Sequence, residues 1–338
     1  MAVLLTGATG FVGLNVFSEL IGRGHEVVLF APALPDALVH SDWFGRGRFV
    51  AGDVRSPADL ARAFAAAPVK DVIHAAALTP DAQSEASEPD AVAAVNLVGT
   101  TQVMQAARRA GVRRVLGVSS VAVYGYAAPA PGGRYHEASP PLPATLYGIT
   151  KLAAEQAIHR LGVLYGIDTV TVRLGPCFGI REYRSGARPL MSPHWQCVEA
   201  LLAGRGCVLP RPMAADWIDA ADAARAMADL LHAEGLRHRL FNLGGGGVTT
   251  AAAWCEALSV LRPSFRWCID PDSATVRYGL ERDRAAMDTD RLEQALGWRP
   301  HPASLVDRAQ RYLVWREGAE GKVLAGLPFN DRTEEGTR

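Results

Sequence analysis

The first thirty residues restrict the possible folds more than any other stretch. Ala2 to Leu5 is a short, unbroken apolar run, the pattern of a strand buried on both faces of a parallel sheet. It leads into Thr6-Gly7-Ala8-Thr9-Gly10-Phe11-Val12-Gly13, then a helical stretch, Leu14 to Gly22, and a second strand, Glu26 to Phe30. Three glycines between a strand and a helix serve a tight turn, close backbone approach to a pyrophosphate, and close packing of helix on strand. The helix N-terminus adds free N–H groups and a partial positive charge. This order of strand, glycine triplet, helix and strand predicts a dinucleotide site.

The alternation continues. Arg48 to Ala51 reads as a strand, Pro57 to Ala66 as a helix, Asp71 to Ala75 as a strand and Asp90 to Ala110 as a long helix. Arg114 to Ser119 and Thr169 to Leu174 are further strands. Strands and helices in turn predict an α/β fold of the Rossmann type, a doubly wound parallel sheet with ligands at the carboxyl ends of its strands. Gly7, Asp53, His74 and Ser119-Ser120 fall at those ends. Asp53 either hydrogen-bonds an adenine amine or caps the following helix. His74, followed by Ala75-Ala76-Ala77, reads as a packed histidine with room for a ribose beside it.

The second strand ends Phe30-Ala31-Pro32, without the acid that would hold the 2′-hydroxyl of NAD. Asp36 and Arg46 are the nearest candidates for NAD or NADP respectively; NAD is the expectation, with NADP not excluded.

Chemistry enters with Tyr147 and Lys151, four residues apart and therefore on one face of a helix. A nearby ammonium favours the phenolate, and the pair suits proton transfer at a hydroxyl while a hydride moves elsewhere. Ser120 ends the preceding strand, where its hydroxyl can hold the reacting oxygen.

These motifs together resemble the extended short-chain dehydrogenases/reductases of the NAD-dependent epimerase/dehydratase group. The resemblance rests on Thr6-Gly7-x-x-Gly10-x-x-Gly13, Gly52-Asp53-Val54, His74-Ala75-Ala76-Ala77, Asn96-Leu97-Val98-Gly99-Thr100 and Ser119-Ser120-x-x-Val123-Tyr124-Gly125. It continues through Tyr147-x-x-x-Lys151, Arg173-Leu174-Gly175-Pro176, Asp216-Trp217-Ile218-x-x-x-Asp222 and Leu296-Gly297-Trp298-x-Pro300. It implies Tyr147 as general base, with Lys151 holding the nicotinamide ribose and Ser120 the substrate. Cofactor contacts are implied for Gly7, Thr9, Gly10, Phe11, Val12, Gly13, Asp53, Val54, Ala75, Ala76, Ala77, Asn96 and Val118, besides Tyr147 and Lys151. Substrate contacts are implied for Ser119, Ser120, Thr79 and Arg173. A homodimer through the helices near 96–110 and 147–161 is implied too.

Composition narrows the partners. Lys plus Arg equal Asp plus Glu at 35 each, which argues against nucleic acid or an anionic membrane. The five cysteines form no Cys-x-x-Cys pair, so neither a metal site nor a disulfide framework is expected. The opening apolar run is too short for a signal peptide or a membrane span, and a cytoplasmic location is expected.

The second half predicts a smaller substrate lobe. The dinucleotide domain is expected over 1–175, with 215–245 returning to the sheet; 176–214 and 246–325 form the lobe, and 326–338 a loose tail. Helices are expected over Pro193 to Ala203, Trp217 to His232, Thr249 to Leu261, Asp290 to Leu296 and Ala303 to Arg316, after which the pattern fades from Glu317. Several positions depart from the nucleotide-sugar epimerases: Pro176 and Ala215 replace the usual asparagine and arginine, and Arg277-Tyr278-Gly279-Leu280 is a blurred diphosphate segment. In their place Arg181, Arg184 and Arg188 lie just beyond Cys177-Phe178. Cys177, Phe178, Arg181 and Arg184 are expected to contact the substrate, with His194 and Trp195 lining the pocket. Cys177, lacking a nearby base, is not expected to act as a nucleophile. A loop with three arginines either holds a carboxylate or is simply solvated. The expectation is an NAD(P)-dependent oxidoreductase acting on a secondary alcohol or carbonyl of a sugar-like molecule. A nucleotide-sugar 4-epimerase and a non-catalytic nucleotide-binding regulator are the alternatives.

Overall fold

The computed structural model describes residues 2–39, 43–279 and 282–325. Seven strands form the central sheet: β1 (Ala2–Thr6), β2 (Glu26–Ala31), β3 (Arg48–Ala51), β4 (Val69–His74), β5 (Arg114–Ser120), β6 (Asp168–Leu174) and β7 (Leu240–Leu243). Their order is β7-β6-β5-β4-β1-β2-β3, and every pairing is parallel. β1 is buried along its whole length, as its apolar run requires. The order reverses beside β1, the switch point at which open parallel sheets leave a crevice.

The principal helices are α1 (Phe11–Gly22), α2 (Pro57–Ala65), α3 (Gly99–Ala110), α4 (Leu146–Tyr165), α5 (Pro193–Leu202), α6 (Ala220–His232), α7 (Ala251–Leu261), α8 (Asp290–Leu296), α9 (Leu305–Glu317) and α10 (Ala319–Ala325). α1 and α6 pack together on one face of the sheet, while α3 and α4 pair on the other. A second apolar core, built around Trp254, Tyr312, Cys197 and Leu209, packs α5, α7 and α9 together.

Three expectations change. The long helix over 90–110 is interrupted: Ala94–Val98 is a π-helical turn carrying Asn96. The helix expected from Trp217 begins only at Ala220. Ile218–Asp219 instead pairs as a short strand with Cys177–Phe178, and the Asp219 side chain caps the helix by accepting from Ala221 N at 2.9 Å. The pattern that fades after Glu317 conceals α10. The tail 326–338 lies outside the described residues.

Candidate active site

The glycine turn is fixed by close backbone approach. Gly7 has φ +69°, and a Cβ there would lie 2.7 Å from Ala76 N, so β1 and the chain leaving β4 meet backbone to backbone. A Cβ on Gly13 would fall 2.2 Å from Gly7 O, so α1 packs directly on the turn. Gly10 is the N-cap of α1 and no side chain caps its first N–H groups. A turn without side chains at an uncapped helix N-terminus fits a dinucleotide pyrophosphate. Ala75 and Ala77 continue the same passage, with Ala75 N bonded to Thr6 O.

Several of the expected cofactor residues also make structural contacts within the protein. Asp53 caps nothing: Ser56 caps α2, and Asp53 forms an ion pair with Arg55 that holds its carboxyl below the usual range. Val54 is buried against Gly99. Asn96 clamps the Leu78 backbone, accepting from its N–H at 2.8 Å and donating to its carbonyl at 3.0 Å, and also donates to Thr150. Arg46 donates to Ile21 O near the C-terminal end of α1 at 3.1 Å. His74 is held between Thr6 and Thr100 at 2.7 and 2.9 Å, and burial, aided by the Lys151 charge, pulls its pKa to about 3. It is the packed histidine of the sequence reading.

α4 brings the reactive groups together. Thr145 caps it, and its first turn lies against the turn that follows β5: a Cβ on Gly148 would come within 2.6 Å of Ala122 O. Tyr147 thereby reaches the end of β5. Burial raises the phenol's pKa, and the nearby hydroxyls of Ser120 and Thr79 work the other way. Ser120 also accepts from Ala122 N at 3.1 Å, which fixes its rotamer.

One turn on, Lys151 is buried, and desolvation lowers its pKa to about 8 despite Glu155. Ser119, on the opposite face of β5 from Ser120, does not join the substrate side. Its hydroxyl is buried without a hydrogen-bond partner beside a cavity of about 10 Å³, shared with His74, Val118, Lys151 and Glu155.

The substrate residues need more correction. Arg173 is 2 % exposed, paired with Glu155 at 2.7 and 3.1 Å and laid over the Tyr124 ring, so it belongs to the interior. Phe178 is buried and stacks on His194 within the second apolar core. Cys177 lies close enough to Tyr147 to act on its charge, but burial pushes its thiol strongly up, so it is no nucleophile.

The arginine-rich loop is also committed. Arg181 pairs with Glu320 of α10 at 2.8 Å and covers Trp43, Arg188 pairs with Glu182, and Arg184 covers Trp195. The loop folds back over the glycine turn. Tyr183 donates to Thr9 O, Asn15 donates to Ile180 O at 3.0 Å, and Thr79 N donates to Ala187 O at 3.0 Å.

One cation was missed. Arg284 is partly buried within electrostatic reach of Tyr278 and Tyr135, burial lowers its pKa, and among the described residues no carboxylate pairs with it. Tyr278 links it electrostatically to Cys177 and Arg188, and both of these act on Tyr147. Tyr278 thus connects Arg284 to the surroundings of Tyr147. In the sequence it is one of several arginines after a blurred motif, and nothing local distinguishes it.

The sequence profile described as the NAD dependent epimerase/dehydratase family matches residues 3–244. The chain is 30% identical over 311 residues to a UDP-glucose 4-epimerase of Mycolicibacterium smegmatis, covering 90% of this chain and 95% of that protein. It is 26% identical over 325 residues to a dTDP-glucose 4,6-dehydratase of Xanthomonas campestris, covering 88% of each. Among solved structures, the UDP-glucose 4-epimerase of Thermus thermophilus in complex with NAD superposes with a TM-score of 0.77 at 25% identity, over 94% of this chain and all of that one.

Proposed function

Since the chain belongs to the NAD-dependent epimerase/dehydratase family, we propose that it moves a hydride between NAD and a secondary alcohol carbon of an anionic, sugar-like substrate. The observation that carries this reading is the Tyr147 phenol within reach of the Ser120 and Thr79 hydroxyls, one helical turn from the Lys151 ammonium. When bound, NAD supplies the hydride acceptor. Tyr147 takes the proton from the substrate hydroxyl, and Ser120 and Thr79 hold that oxygen as charge develops on it. Lys151, charged below about pH 8, favours the phenolate. The glycine turn and the N-terminus of α1 receive the pyrophosphate. Arg284 seats the substrate's anionic group, the place earlier expected for Arg181 and Arg184.

The 30%-identical epimerase favours a second reading, in which the hydride returns to the opposite face of a nucleotide-linked sugar. Denaturing freshly purified protein and quantifying the released nucleotide separates the two. About one NAD per chain, with interconversion of UDP-glucose and UDP-galactose, supports the epimerase. An empty site that forms NADH with added NAD and a sugar acid supports the dehydrogenase. Absence of any Tyr147-dependent turnover, with NAD still bound, would leave the regulator.

Assembly and location are part of the proposal. Ile149, Val163 and Leu164 of α4 and Val98 before α3 are exposed apolar residues, which supports a homodimer through the helices near 96–110 and 147–161. Light scattering of wild type and Ile149→Arg tests it. Five free thiols support a reducing, cytoplasmic setting. No described helix is long and apolar enough to cross a membrane.

A further inference from the structure

The second apolar core contains a group of side chains that the hydride chemistry does not use. Cys197 on α5, Cys207 on the strand Cys207–Leu209 and Cys255 on α7 converge from three separate elements. Their sulfurs form a triangle with sides of 3.4, 3.6 and 3.7 Å. All three are at most 2 % exposed, inside a core of Trp254, Val198, Leu258 and Phe265. The expectation of no metal site, drawn from the missing Cys-x-x-Cys, did not foresee this, because the three lie 10 and 48 residues apart in sequence.

Geometry and charge select what such a triangle can bind. A centre bonded to sulfur at roughly 2.3 Å would sit about 1 Å out of the plane of three sulfurs this close, a pyramid rather than a flat triangle. Among the described residues no fourth metal-binding side chain joins the three within 4.8 Å. Zinc in structural sites almost always takes four ligands. With three thiolates it would also leave a net negative charge buried among apolar side chains, which is costly without a paired cation. A trivalent centre avoids both difficulties. Its three bonds satisfy it, its lone pair occupies the fourth direction, and the product is neutral.

We infer that Cys197, Cys207 and Cys255 form a three-thiol binding site for trivalent arsenic, taken up as arsenous acid. Three As–O bonds break and three As–S bonds form. Each thiol proton leaves with a hydroxide as water, and neither arsenic nor sulfur changes oxidation state. The product ties α5, the strand at Cys207 and α7 together through one atom. Since the sulfurs are buried, loading requires transient opening of this core, and uptake is slow relative to diffusion.

The test is native mass spectrometry of the full-length protein after prolonged incubation with arsenite in thiol-free reducing buffer, followed by desalting. The expected wild-type product gains one arsenic and loses three hydrogens, and its urea unfolding midpoint rises because the folded state alone holds the centre. Cys207→Ser and Cys255→Ser should each lose the adduct, while Cys268→Ser, at an exposed cysteine, should keep it. If either inner variant fails to fold, the wild-type mass and midpoint still decide. No adduct and no shift in wild type would overturn the inference and leave the three thiols as core filling. An adduct that loses only two hydrogens, or one that survives Cys207→Ser, would overturn it equally.

Discussion

Glu155 and Arg173 meet through two hydrogen bonds, 2.7 and 3.1 Å, with both side chains at most 3 % exposed. Glu155 ends the line Tyr147, Lys151, Glu155 that runs down one face of α4 at four-residue spacing. Arg173 comes from β6, so the pair fixes the catalytic helix to the sheet from behind. Removing one partner leaves a buried charge without its mate, which in other proteins costs about 3–5 kcal/mol. Glu155→Gln should therefore lower unfolding stability by about 3 kcal/mol in urea titration. Glu155→Gln combined with Arg173→Met should recover much of that loss, because no charge is then stranded.

Tyr147→Phe removes the proton acceptor and little else. Turnover should fall by about 10²–10⁴-fold, the usual share of a general base. NAD binding, followed by fluorescence or calorimetry, should change by less than about threefold, because the glycine turn and α1 are untouched. A matched loss of NAD affinity would mean that the phenol acts as scaffold.

Lys151 has a pH signature. Burial brings its pKa from 10.5 in the unfolded chain to about 8 in the fold. Between those values the unfolded state binds more protons, so apoprotein stability from this residue rises with pH from about 8 to 10.5. Urea midpoints measured at both ends of that window should differ more in wild type than in Lys151→Met. Function runs the other way. The ammonium that favours the phenolate is lost above about pH 8, so the lysine's support for turnover fades there.

Which of this was legible in the sequence depended on the range of the interaction. β1, β2 and β3 were readable because each strand carries its own apolar run, and the Tyr147–Lys151 pair because a helix makes its own geometry. Ser56-Pro57 was a cap signal in plain sight, and it decides against Asp53 as the cap. Arg181 could not be read, since its partner Glu320 lies 139 residues away on α10. The start of α6 was misplaced for a similar reason: only pairing with Cys177–Phe178 makes Ile218–Asp219 extended. The three inner cysteines carry no spacing signal at all.

The glycine turn allows a controlled comparison within one helix. Gly13→Ala would place its Cβ 2.2 Å from Gly7 O, where only backbone can move, whereas Gly22→Ala, at the other end of α1, meets nothing within 4 Å. Gly13→Ala should abolish NAD binding and lower the melting temperature. Gly22→Ala should bind NAD like wild type and match or exceed its stability by up to about 1 kcal/mol, the helix-propensity difference between the two residues.

Arg284 separates binding from structure. Since the described residues supply no carboxylate to it, its partly buried guanidinium costs stability unless a ligand anion arrives. Arg284→Met keeps the length and apolar stem while deleting the charge. The variant should be as stable as wild type or more so, yet bind its substrate about 10–100-fold less tightly, the loss of one charge-assisted pair of about 1.5–3 kcal/mol. The effect should appear in KM, with kcat changed far less, because Tyr147 and Ser120 are undisturbed. For the free protein, adding the substrate's anionic fragment alone should stabilise wild type and leave Arg284→Met unaffected. If the variant instead unfolds readily and its KM is normal, Arg284 supports the fold and the anion is seated elsewhere.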